Sequence, residues 1–173
     1  MLKKTAAPLL VLALSAAGCG SKSIAVPTEF CSVPVKKENL APLLPDGENL
    51  NNRKADLHAH PGVSCSISID GNNILFGSVE LYKNRKPDPV IPGSSSVNYK
   101  HAAVRKVPFR GEAFLGSNGG VINVTCDDAN SYLSVVVQLA GSRVDDTTDG
   151  YKKLQPFVED FVPNETQKYG CTK

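Results

Sequence analysis

The sequence predicts an α+β domain: a mainly antiparallel β-sheet with a short N-terminal helix and a C-terminal helix packed on it, closed by two disulfides. Three observations lead there. Between Ser64 and Leu139 apolar residues recur at period two, in runs separated by short turns, which favours antiparallel pairing. From Tyr151 the period becomes helical, with Tyr151, Leu154, Phe157, Val158 and Phe161 on one face. Four cysteines, Cys31, Cys65, Cys126 and Cys171, bracket the two patterns.

The chain begins with Lys3 and Lys4, then an apolar stretch from Ala6 to Ala17. This has the length of a signal-peptide core and is shorter than the roughly 20 residues needed to span a bilayer. It ends in Leu14-Ser15-Ala16-Ala17-Gly18-Cys19, which resembles a bacterial lipobox. That resemblance implies diacylglycerol on the Cys19 thiol and cleavage before it. The expected organisation is residues 1–18 as lipoprotein signal peptide, 19–30 as lipidated tether and 31–173 as one globular domain. The expected place is the extracytoplasmic face of the cell membrane, reached through the N-terminal lipid.

Removing the leader leaves about 155 residues, the size of one domain. The leader holds two of the 19 basic residues and none of the 17 acidic ones, so 17 of each remain. A neutral domain gives no argument for nucleic acid as a partner. With Cys19 assigned to lipid, the other four cysteines are even in number and outside the cytosol, which reads as two disulfides. Of the three possible connectivities, Cys31–Cys65 and Cys126–Cys171 close two loops that do not cross, each stabilising by about 3–4 kcal/mol.

In chain order, Leu40, Leu43 and Leu44 fall at helical spacing, limited by Pro42 and Pro45 to one or two turns. Asp46 to Asp56 is polar and reads as a loop. Cys65 to Ile69, a turn at Asp70-Gly71-Asn72-Asn73, and Ile74 to Tyr82 read as a β-hairpin. Lys86 to Ser96 is a Pro- and Ser-rich loop. Strands follow over Ala102 to Val107 and Phe109 to Leu115. Gly116 to Gly120 is a turn into Val121 to Cys126, and Tyr132 to Leu139 is the last strand. In the C-terminal helix Pro156 marks a kink or a second start, and Pro163 marks the end.

Several stretches invite a chemical reading. Asp56-Leu57-His58-Ala59-His60 resembles the D-x-H-x-H metal motif of amidohydrolase barrels, but that fold needs roughly 250 residues and further ligands. Only His101 remains here, and the motif reads as a surface loop. Asp145-Asp146-Thr147-Thr148-Asp149-Gly150 has calcium-loop composition but Pro156 at the position that demands glutamate, and reads as acids capping the helix. The glycines of 116–120 feed a strand, unlike a phosphate cradle, which feeds a helix. With no nucleophile motif and every remaining cysteine paired, the expectation is a non-enzyme with no cofactor and no metal. The charge pattern is more informative. Lys83, Arg85, Lys86, Lys100, Arg105, Lys106 and Arg110 lie in one segment against a single acid, Asp88. They make a candidate surface for anionic headgroups or wall polymers.

The layout is similar to small actinobacterial cell-envelope lipoproteins of uncharacterised function. The shared features are the Ala-Ala-Gly-Cys leader end, Cys31-Ser32 followed by a Leu-rich turn, Cys65 opening a strand, and a C-terminal helix closed by Gly170-Cys171. Ile67 stands where some of those proteins carry Trp. The resemblance implies no catalytic residue. The expected function is a non-enzymatic, lipid-anchored envelope module that binds a partner protein or an anionic envelope component. The alternative is a carrier for a small apolar ligand held between helix and sheet.

Overall fold

The computed structural model describes residues 24–58, 61–87, 99–128 and 130–171. It is α+β. Strands β1 (Glu29–Phe30) and β2 (Val33–Pro34) form a small hairpin, followed by α1 (Lys37–Leu40), which tightens into a 3-10 turn at Ala41–Leu43. Then come β3 (Leu50–Asp56), β4 (Gly62–Ile69), β5 (Asn72–Lys83), β6 (Ala103–Arg105), β7 (Gly111–Gly116), β8 (Gly119–Thr125), β9 (Ser131–Leu139) and the long helix α2 (Tyr151–Lys168). The last seven strands form one sheet in the order β3-β4-β5-β9-β8-β7-β6, antiparallel throughout.

Local chemistry sets the hairpins. Asp70 (φ 50°) and Gly71 (φ 81°) both take the left-handed conformation that a two-residue turn needs, and Ile69 pairs with Asn72. One residue of β5 is inserted as a bulge, because Ile67 pairs with Leu75 and Ser68 with Asn73. Ser117-Asn118 joins β7 to β8, with Gly116 opposite Gly119.

Alternation then divides the sheet into two faces. Val63, Cys65, Ile67 and Ile69 of β4 are buried on the side of α2, as are Leu133, Val135, Val137 and Leu139 of β9. From α2 come Leu154, Phe157, Val158, Phe161 and Val162, all fully buried. Phe30 completes the layer: its ring centroid lies 5.7 Å from Phe157 and 5.3 Å from Phe161, both edge to face. The ring rests on Gly77, where a Cβ would come within 2.6 Å of it.

Both predicted disulfides form, Cys31–Cys65 and Cys126–Cys171. Three expectations are corrected. The stretch Asp46 to Asp56, read as a loop, contains edge strand β3; its polarity reflects exposure on both faces, while the pairing comes from β4. Pro163 does not end α2, which runs to Lys168. The helix ends instead in a Schellman motif, with Gly170 left-handed (φ 66°), Cys171 N–H donating to Thr166 C=O and Gly170 N–H to Gln167 C=O. The acids before α2 make no side-chain cap: Asp149 pairs with Lys152 at 3.0 Å, and Asp146 bonds elsewhere. Phe30 is fully buried, and Ile24 and Val26 pack on the core. Cys19 and the leader lie outside the described residues, as do Asp88 and most of the Pro/Ser loop.

Candidate binding surfaces

The described residues of the basic segment do not share one patch. β5 and β6 are at different positions in the sheet, and β5 ends at the opposite end of the sheet from where β6 begins. Lys83 ends β5 opposite Ser131, so Lys83, Arg85 and Lys86 share the end of the sheet where β7 begins after Arg110 and β8 ends before Asp127. Lys106, after β6, lies at that end too. Acids temper it: Arg110 is 3.6 Å from Asp127. The Ser131 hydroxyl, then the backbone N–H groups of Ser131 and Asn130, and Lys83 hold the Asp128 carboxyl below its usual range. Lys100 sits at the opposite end, where its Nζ donates to Asp146 at 2.6 Å, with His101 Nε2 3.1 Å from the other carboxylate oxygen. These bonds, the Lys100 one foremost, push Asp146 down. Arg105 points to the helix side, its guanidinium 3.6 Å from the centroid of Tyr151.

The metal-like stretches separate in the same way. Asp56 ends β3, and His58 is exposed beyond it; His60 lies outside the described residues. Among the described residues no three His, Cys, Asp or Glu side chains gather as metal ligands.

Between α2 and the sheet the space is taken by the three phenylalanine rings and the aliphatic side chains around them. Glu165 is the polar exception. It is fully buried on α2, and Lys168 reaches across with Nζ 3.3 Å from Oε2 while donating to Cys31 C=O at 2.7 Å. Burial pushes the Glu165 carboxyl up, and the Lys168 charge partly offsets this.

The other face of the sheet is different. No described helix lies on it. One cross-strand row runs Val104, Phe114, Val121, Val136, Ser78, Ser64. It is apolar toward β6 and hydroxyl-bearing toward β3. The next row is Glu112, Asn123, Ser134, Glu80. Val104 is 78% exposed and Phe76 36%. Tyr99 closes one end of this face, its ring so near Gly119 that a Cβ there would meet it at 2.7 Å. Burial pushes the Tyr99 phenol up to about 12. A shallow hollow of about 230 Å³ lies beside Phe76, between Ser66 and Gln138, and a more polar one of about 300 Å³ lies between Lys36, Pro108 and Asp160. The first has no α2 residue in its lining, and the second is flanked by Pro156, Glu159 and Asp160 of α2. This open face was not singled out by motif; its signal was the alternation of β4, β5 and β9, which implies a second side as well as a core side.

No helix among the described residues is long and apolar enough to cross a membrane. Comparison with known protein families, with curated proteins and with solved structures finds no match to this chain.

Proposed function

We propose that the protein is a lipid-anchored extracytoplasmic module, tethered through Cys19, that binds a partner protein across its open sheet face and catalyses no reaction. One observation carries this reading. The helix side of the sheet is filled by Phe30, Phe157 and Phe161, whereas the opposite side exposes Val104 and Phe76 without a described element over them. Filled space beneath α2 argues for a surface and against a carrier of small apolar ligands. An anionic envelope polymer is the second reading, favoured by Lys83, Arg85, Lys86, Lys106 and Arg110 at one end of the sheet.

Photocrosslinking in intact cells tests both. A photoreactive residue at Phe76 or Val104 should give a discrete, protease-sensitive adduct, and one at exposed Gln167 on α2 should not. A protease-resistant adduct formed from position 86 would transfer the reading to the polymer. Identical patterns from all positions would remove the surface from consideration.

A further inference from the structure

The sheet has two edges, and they are unequal. β6 contributes three residues, β3 seven. The bonding phase of β3 follows from two hydrogen bonds in register with it: Asp70 N–H donates to Asn49 C=O, and Leu57 N–H to Gly62 C=O. Antiparallel partners alternate between bonded and non-bonded pairs. Asn51, Arg53 and Ala55 therefore bond β4, and Leu50, Asn52, Lys54 and Asp56 turn their N–H and C=O groups outward. Among the described residues nothing bonds those outward backbone groups; the Asn52 side chain donates to Glu29 C=O, but its backbone does not take part. Asn51 through Asp56 are all exposed.

An unpaired edge of this length is a template for another strand. Charge decides which. Arg53 pairs with Ser66 and so projects on the open face, while Lys54 pairs with Cys65 and projects on the helix side. Any strand laid along β3 meets a cation on each face. A second copy is disfavoured: the two-fold pairing that uses the whole strand sets Arg53 opposite Arg53, like charges at about 4.5 Å between Cα atoms. The charges that repel a second copy attract an acidic one.

We infer that β3 is a strand-addition site for an extended, acidic segment of a partner protein, which docks on the outward N–H and C=O groups of Leu50, Asn52, Lys54 and Asp56 and opposes Arg53 and Lys54 with carboxylates. This rests on the partner-binding reading and extends it, because an added strand continues the open face beyond β3.

The test uses the full-length protein and two synthetic eight-residue peptides with blocked ends, one alternating Glu with Thr and Val, the other with Lys for each Glu. Amide hydrogen exchange is followed residue by residue. The acidic peptide should slow exchange of the Leu50, Asn52, Lys54 and Asp56 N–H groups at least tenfold at saturation, less at high salt, while the Lys peptide should not. Lys54→Pro removes an N–H that the sheet does not use and should abolish the protection. Should that variant unfold, Arg53→Glu/Lys54→Glu keeps every N–H and should reverse the preference toward the Lys peptide. Equal protection by both peptides, or none by either, overturns the inference. If crosslinks from Phe76 and Val104 persist in that case, the partner-binding reading stands without it.

Discussion

Glu165 is a carboxylate on a helix face otherwise lined with Leu154, Phe157, Val158, Phe161 and Val162. Its carboxyl is raised in the folded state, mainly by burial, with only Lys168 and the more distant Lys54 pulling it back. The linkage has a definite sign. The folded protein holds this proton more tightly than the unfolded chain, so stability is highest below the unfolded value and falls as pH rises toward the folded one. Asp128 and Asp146 work in the opposite direction. Both are lowered in the folded state, and their contribution is lost as pH falls through their folded values. Glu165→Gln should therefore flatten the loss of stability on the rising side of the ordinary carboxylate range and leave the acid limb intact. Urea midpoints measured from pH 3 to pH 8 for both proteins check this. An unchanged profile would mean that Lys168 compensates the buried charge completely.

At the scale of elements, α2 shows how packing overrides local signals. A proline inside a helix costs about 3 kcal/mol, and α2 holds two, Pro156 and Pro163. Against that stand five fully buried apolar side chains, each contributing about 1.5–3 kcal/mol. The apolar face wins, so the periodicity of Leu154, Phe157, Val158 and Phe161 was legible as a helix while its end at Pro163 was not. Pro156 is exposed, beside Pro108 and Lys36. Pro156→Ala should restore a helix N–H at little packing cost and raise stability by about 2 kcal/mol, less the entropy the unfolded chain regains. A thermal melt of the variant decides it, and a lowered midpoint would show that the Pro108–Pro156 hollow carries more packing than the exposure of Pro156 indicates. Strand β3 is the converse case. Leu50-Asn51-Asn52-Arg53-Lys54-Ala55-Asp56 has one large apolar residue and no alternation, because neither of its faces is covered. Only its register with β4 makes it a strand, and that register is tertiary. The hairpins were legible since Asp70-Gly71 and Gly116 to Gly120 carry their turn chemistry locally. The placement of the basic residues follows the strand order, a tertiary property: Lys100 and Arg110 stand near opposite ends of the sheet, and Arg105 on its helix side.

For the whole molecule, in the proposed reading, the decisive dimension is the distance between the lipid on Cys19 and the core. Ile24 and Val26 pack on the core, and Cys19 stands five positions before Ile24 in the sequence, so the contour between them is at most roughly 18 Å. In the proposed reading two acyl chains on Cys19 hold that body at the bilayer surface, where a single chain would bind only marginally. In that reading anchoring and folding are separable, because the two disulfides use Cys31, Cys65, Cys126 and Cys171 and leave the Cys19 thiol for the lipid. Cys19→Ala should move the protein from the detergent-extracted membrane to the soluble envelope fraction or the medium, while its thermal midpoint and its two disulfides stay as in the mature domain. Fractionation with non-reducing peptide mapping reads both at once. A variant that remains in the membrane would sink the lipid anchor, and one that is released but unfolded would place the N-terminal segment in the fold. Release with folding intact, combined with loss of the Phe76 and Val104 crosslinks, would locate the partner in the membrane plane. There a tether of this length leaves the open face and β3 within reach of little else.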